Sequence, residues 1–175
     1  MKLLTIICCF IASTSFAQTM SMNTNFCHKN IQQSTTGYDS YGYSTTEPIE
    51  LSFENFLYNR VSLTFELSRN GKIIYAIFKQ TRGIEPVTAA KFYFVYDNDI
   101  RSADFLLPTS YTGNSWRVAF YLENYGLNIL NHIMQIDLKK IRLEYELNQY
   151  YTLNISPENA LKIKKIIGCL EEKMH

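Results

Sequence analysis

Few residues in this chain combine the types and spacing that chemistry requires. Cys27 is followed directly by His28, and a neighbouring imidazole can lower a thiol's pKa and turn it into a nucleophile. The other histidines, His132 and His175, stand far away in sequence, so Cys27 has no second basic partner close by. Asp97 and Asp99 flank Asn98, and in an extended segment two acids at i and i+2 share a side. Such a pair could serve glycoside hydrolysis, which places two carboxyls roughly 5–10 Å apart, or it could help hold a hard cation. Ca²⁺, however, takes about six to eight oxygen ligands, so a solvated turn is the simpler use of this segment. Glu144 and Glu146 repeat the spacing, but there the alternation fits the wet face of a strand. The chain has no Gly-rich phosphate loop and no G-x-S-x-G elbow. Nor do its cysteines and histidines have zinc-ligand spacing. The sequence therefore nominates no catalytic, cofactor-binding or metal-binding residue. The expectation leans away from an enzyme and from any cofactor.

The N-terminus reads as a targeting segment. Lys2 supplies the positive start, Leu3 to Ala12 is an apolar run with one Thr, and Ser15-Phe16-Ala17 has the small-x-small pattern of a cleavage site. That run is too short to span a bilayer as a helix. Residues 1–17 are expected to be cleaved, and the remaining chain to be exported to a periplasmic or extracellular space. Without Lys2 the basic and acidic residues balance, and the aromatics are not interleaved with a basic patch. That excludes a polyanion-binding reading, nucleic acid included. No later stretch has the apolar length of a membrane span. Cleavage would leave two cysteines, Cys27 and Cys169. In an oxidising compartment an even pair predicts a disulfide, one that ties the N-terminal segment to the C-terminal one.

The segment that must position everything else is Val61 to Gln80. Val61, Leu63, Phe65 and Leu67 alternate with Ser62, Thr64, Glu66 and Ser68, the period-2 signature of a strand with one dry face. Asn70-Gly71 then predicts a two-residue hairpin loop, with Arg69 facing Lys72, Leu67 facing Ile74, Phe65 facing Ala76 and Leu63 facing Phe78. Ile73, Tyr75 and Ile77 make the second strand apolar on its other side too, which predicts cover on both faces. Further strands are expected at 49–54, 90–96, 100–107, 116–122, 140–146 and 151–155. A short helix is expected over 127–137, with Leu127, Leu130 and Met134 on one face. Over 156–174, Ser156 is an N-cap type and Pro157 suits the first turn. Ala160, Ile163, Ile166, Ile167, Leu170 and Met174 form one stripe, predicting an amphipathic helix.

Residues 18–47 differ from the rest. Gln32 to Thr46 has no aliphatic residue and one charge, Asp39, which suits an exposed polar arm; the competing reading is an edge strand, since Tyr41 and Tyr43 alternate with small residues. Tyr38, Tyr41 and Tyr43 offer much contact area for little conformational entropy and are the candidate interaction surface. A single domain is expected over 48–175. The predicted fold is α+β: an antiparallel sheet or sandwich of about six to eight strands, with the final helix packed across it. The expected function is an exported non-catalytic binding module, an inhibitor or neutralising partner of another protein. The alternative is a carrier of an apolar small molecule or lipid, with a hydrolase assembled from distant acids ranked third.

Overall fold

In the computed structural model, residues 24–34, 42–54, 60–80, 91–97, 100–104, 115–123, 125–146 and 149–174 are described. The predicted leader, residues 1–17, lies outside them. So do Tyr38, Tyr41 and Asp99. Strands β4 (Arg60–Leu67) and β5 (Ile73–Gln80) form the predicted hairpin. Its register pairs Leu67 with Ile74, Phe65 with Ala76 and Leu63 with Phe78. The loop is longer than the two residues expected. Ser68 N–H donates to Ile73 O at 2.9 Å and Gly71 N–H to Ser68 O at 2.9 Å, so Arg69 to Lys72 turn the chain. Side chains make this stable: Asn70 Oδ1 accepts from Lys72 N at 3.0 Å, and Ser68 Oγ accepts from Ile73 N at 3.0 Å. Both loop lengths share one register, so the sequence reading of the pairing holds. Gly71 sits at φ 70°, where only glycine is comfortable.

The described strands form one ten-stranded sheet, two strands more than the upper expectation. The additions are β1 (Ile31–Gln33) and β2 (Tyr43–Thr45), three residues each, within the segment expected as an arm. Ahead of β1, residues 24–30 are helical (α1). β3 (Ile49–Phe53) and β2 share one edge of β4: β3 pairs with residues 60–63, and β2 with Glu66 and Leu67. The gap between them falls near Pro48, which has no N–H to give. There Phe65 N–H is satisfied by the Thr45 hydroxyl at 3.1 Å, so the break leaves no orphaned donor.

From β3 the ladder continues through β10 (Gln149–Asn154), β9 (Lys140–Glu146) and β6 (Lys91–Val95) to β7 (Ile100–Asp104), while β5 carries β8 (Ser115–Tyr121) on its far side. β7 comes up beside β8, so the sheet curls on itself. Rings from strands that are not ladder neighbours meet inside the curl. Phe78 of β5 stacks on Phe92 of β6 with centroids 4.9 Å apart, and Phe94 of β6 meets Phe120 of β8 at 5.7 Å.

Helix α2 (Tyr125–Gln135) packs on β8. Gly126 lets it start there, because a Cβ at that position would lie 2.5 Å from Tyr121 N. The buried residues of α2 are Ile129, Leu130 and Ile133. The expected face of Leu127, Leu130 and Met134 is thus rotated: Leu127 and Met134 are only half-buried, because the helix lies flat on β8 and turns adjacent positions 129 and 130 toward it. Helix α3 (Pro157–Glu171) matches its prediction, with Ser156 Oγ accepting from Asn159 N at 3.1 Å. Ala160, Ile163, Ile166, Ile167 and Leu170 are buried in the core, and α3 packs against β4, β1 and α2. The fold is α+β, as the alternation and the capped helix predict.

The second face of β5 is covered in part: Tyr75 is buried, while Ile73 and Ile77 are half-buried. Tyr75 is 6% and Ala119 8% exposed, and the Arg117 guanidinium lies 4.9 Å over the Tyr75 ring. Arg117 also pairs with Glu66 at 3.7 Å, but burial outweighs that partner and pushes the Glu66 carboxyl above its usual range.

Candidate functional site

Cys27 of α1 and Cys169 of α3 are joined by a disulfide, their Cα atoms 5.5 Å apart across 142 residues of sequence. The thiol of Cys27 is therefore consumed. His28 beside it is exposed, and no Cys–His nucleophile is formed. The amphipathic pattern of α3 explains the location. Cys169 sits at the border of the buried stripe, where a helical residue can reach a segment laid along the helix.

Lys165 lies one turn before Cys169 on α3, and Lys173 just past the helix's C-terminus. Each reaches over an aromatic ring of the N-terminal segment: Lys165 Nζ lies 5.4 Å from the Phe26 centroid, and Lys173 Nζ 5.6 Å from that of Tyr43. Each such contact contributes about 0.5–1 kcal/mol at an exposed site. A covalent bond flanked by two cation–π contacts thus fixes α1 and β2 to α3. The sequence identifies the bond but misses the two lysines.

Two shallow clefts open beside the disulfide. One, of about 250 Å³, lies along α3 and is lined by Met134, Lys164, Lys165 and Gly168. The other, of about 230 Å³, lies toward β1 and β2 and is lined by His28, Ile31, Gln33, Tyr43 and Lys173. Cys27 and Glu172 line both. Glu172 Oε2 lies 4.0 Å from Cys27 Sγ, a contact and not a hydrogen bond, because a disulfide sulfur carries no proton. Lys164 Nζ donates to Asp137 Oδ1 at 2.6 Å, closing the end of α2 onto α3; that bond holds the Asp137 carboxyl below its usual range. Glu171 is pushed upward by burial.

Of the three tyrosines singled out from sequence, Tyr43 lies within the described residues. It is half-buried in β2 and packs against the core, so it is the base of the hairpin and not its tip. Tyr38 and Tyr41 fall in the connection between β1 and β2. The ends of that connection are fixed: Gln33 pairs with Tyr43, Ser34 N–H donates to Gly42 O at 3.4 Å, and Gly42 N–H donates to Leu67 O at 2.9 Å.

Asp99 lies outside the described residues, and among those described Asp97 and Glu144 line neither of the two clefts. Asp97 is exposed in a bend after β6. Glu144 accepts from the Tyr93 hydroxyl at 2.7 Å on the outer face of the sheet. This bond holds the Tyr93 phenol up to about 12. Tyr150 meets the same ring edge-on at 5.7 Å. His132 lies against the Tyr96 ring at 4.5 Å. Among the described residues, no group of three or more His, Cys, Asp or Glu is close enough to hold a metal ion, and no helix is long and apolar enough to cross a membrane.

Comparison with protein-family models, with curated proteins and with solved structures finds no match to this chain. The functional reading therefore rests on residues and geometry.

Proposed function

We propose that this chain is an exported, non-catalytic binding module that engages another protein through the connection between β1 and β2. Tyr38 and Tyr41 provide the contact area, and Tyr43 provides the anchored base. The observation that carries this reading is that both ends of residues 35–41 are fixed. β1 is tied through α1 and the disulfide, and β2 through its pairing with β4. A loop with fixed ends loses less conformational freedom on binding than a free tail, and that saving appears as affinity. Tyrosine adds broad, amphipathic contact at low entropic cost. The carrier reading has weaker support, because Phe78, Phe92, Phe94 and Phe120 fill the inside of the curl with the protein's own rings.

The test is a photo-cross-linking amino acid placed at Tyr41, with Asp97 as the control position, applied in the exported fraction of the source cells. A single cross-linked protein at position 41 that is absent at 97 supports the reading. The variant Tyr38→Ser/Tyr41→Ser/Tyr43→Ser should lose that partner while keeping its circular dichroism spectrum. Equal cross-linking at both positions, or capture unchanged in the triple variant, sinks it.

A further inference from the structure

We propose that the Cys27–Cys169 bond is a redox latch: its cleavage by a dithiol reductant releases residues 24–34 from a body that stays folded. The inference does not depend on the binding reading, since it concerns what holds the segment and not what the segment touches.

The argument starts with what else ties this segment down. β1 offers three residues to the ladder, and among the described strands it pairs with β2 alone. Beyond the bond, the segment is held to α3 by buried Ile31, by partly buried Phe26 and by Lys165 over the Phe26 ring. Two hydrogen bonds join α1 to the turn after β2: Thr46 N–H donates to Asn30 O at 2.9 Å, and the Thr46 hydroxyl donates to Lys29 O at 2.9 Å. Against this, β4, β5 and β8 are joined by ladders of seven pairs and β6 and β9 by one of five, and two helices bury their faces in the core. A region with few buried apolar contacts opens below the free energy of global unfolding. Here the covalent bond prevents that opening.

The bond is also reachable. Both cysteines line the cleft along α3, and Cys27, at 8% exposure against 3% for Cys169, also lines the one toward β1 and β2. A thiolate of the reductant attacks Cys27 Sγ, the sulfur–sulfur bond breaks, and Cys169 leaves as a thiolate that takes up a proton. The reductant's second thiol then displaces Cys27 from the mixed disulfide. Two electrons pass to the protein, leaving two cysteine thiols and an oxidised reductant. The release uncovers the edge of β2 that β1 had occupied, a row of backbone groups open to pairing with another extended chain.

The test is amide hydrogen exchange on the oxidised protein and on the same folded protein treated with dithiothreitol, with Cys27→Ser/Cys169→Ser as a second sample. Exchange in residues 26–34 should accelerate by roughly tenfold or more on reduction, while β4 and β5 keep their protection. Trypsin should cut after Lys29 in the reduced protein well before it cuts β4 or β5. The double variant should behave like the reduced protein and ignore dithiothreitol. Unchanged exchange in residues 26–34 of fully reduced protein would overturn the latch. So would simultaneous loss of protection in residues 26–34 and in β4–β5, which would make the bond a staple of the whole fold.

Discussion

The hairpin of β4 and β5 and the hairpin of β1 and β2 meet along one strand, yet they are held by different means. In the first, seven ladder pairs place Leu63, Phe65, Leu67, Ile74, Ala76 and Phe78 on one buried face, and the turn is closed by the side chains of Ser68 and Asn70. In the second, three pairs carry Ile31 inward while Gln32 and Gln33 are exposed; position is fixed by the disulfide, by two lysines over aromatic rings and by hydrogen bonds borrowed from Thr45 and Thr46. The first hairpin is specified by its own side-chain pattern. The second is specified by partners far away in sequence.

If that contrast is right, the largest effects belong to the first hairpin's buried face. Phe78→Ala removes a ring that is fully buried and stacked on Phe92, and should cost about 3–5 kcal/mol in urea unfolding; a loss below about 1 kcal/mol would mean the two rings do not form the centre of the core. Next comes the join between the hairpins. Thr45→Val keeps shape but leaves the buried Phe65 N–H without its acceptor, which should cost about 1–3 kcal/mol. A neutral result would show that β2 can slide to supply a backbone carbonyl, and the second hairpin would then be less fixed than described.

The first hairpin was legible because its alternation and its Asn-Gly pair agree on one register. Helix α3 was legible for a similar reason, with cap, proline and stripe all pointing to the same boundaries. The second hairpin was legible only in part: the alternation at Tyr43 offered an edge strand as the competing reading, but nothing marked β1. Ile31-Gln32-Gln33 is too short and too polar to show a period, and α1 offers Phe26 and Cys27 without a repeat. Counting cysteines found the bond but not the lysines beside it, because their partners Phe26 and Tyr43 are more than a hundred residues away in sequence. The β5 outer face was read as needing cover. What covers Tyr75 could not be read, since it is the guanidinium of Arg117, reaching over the ring from the neighbouring strand.

Smaller effects refine the comparison. Gly71→Ala forces a side chain into the left-handed region at φ 70°, with Met174 O 3.4 Å from the new Cβ. It should cost about 1–2 kcal/mol without changing the β4–β5 register, which the amide cross-peaks of an NMR spectrum would report; a shifted register would show that the turn, and not the apolar face, sets the pairing. The least effect on stability is expected on the far side of the sheet, where neither hairpin reaches. The folded Tyr93 phenol titrates at about 12, above its ordinary value of 10.0. Its contribution is therefore complete below pH 10.0 and is lost as pH rises toward 12. In a phenolate absorbance titration, Glu144→Gln should bring this late tyrosine down toward the others and Tyr93→Phe should remove it. A late phase that survives both variants belongs to another tyrosine.

The bond between Cys27 and Cys169 makes most of the polypeptide a closed loop, with 142 positions separating the two ends of the tie. A protease that nicks any one connection inside that loop leaves a single covalent molecule, still running as one band on a gel until a thiol is added. Damage at one exposed turn would then fall short of dismemberment.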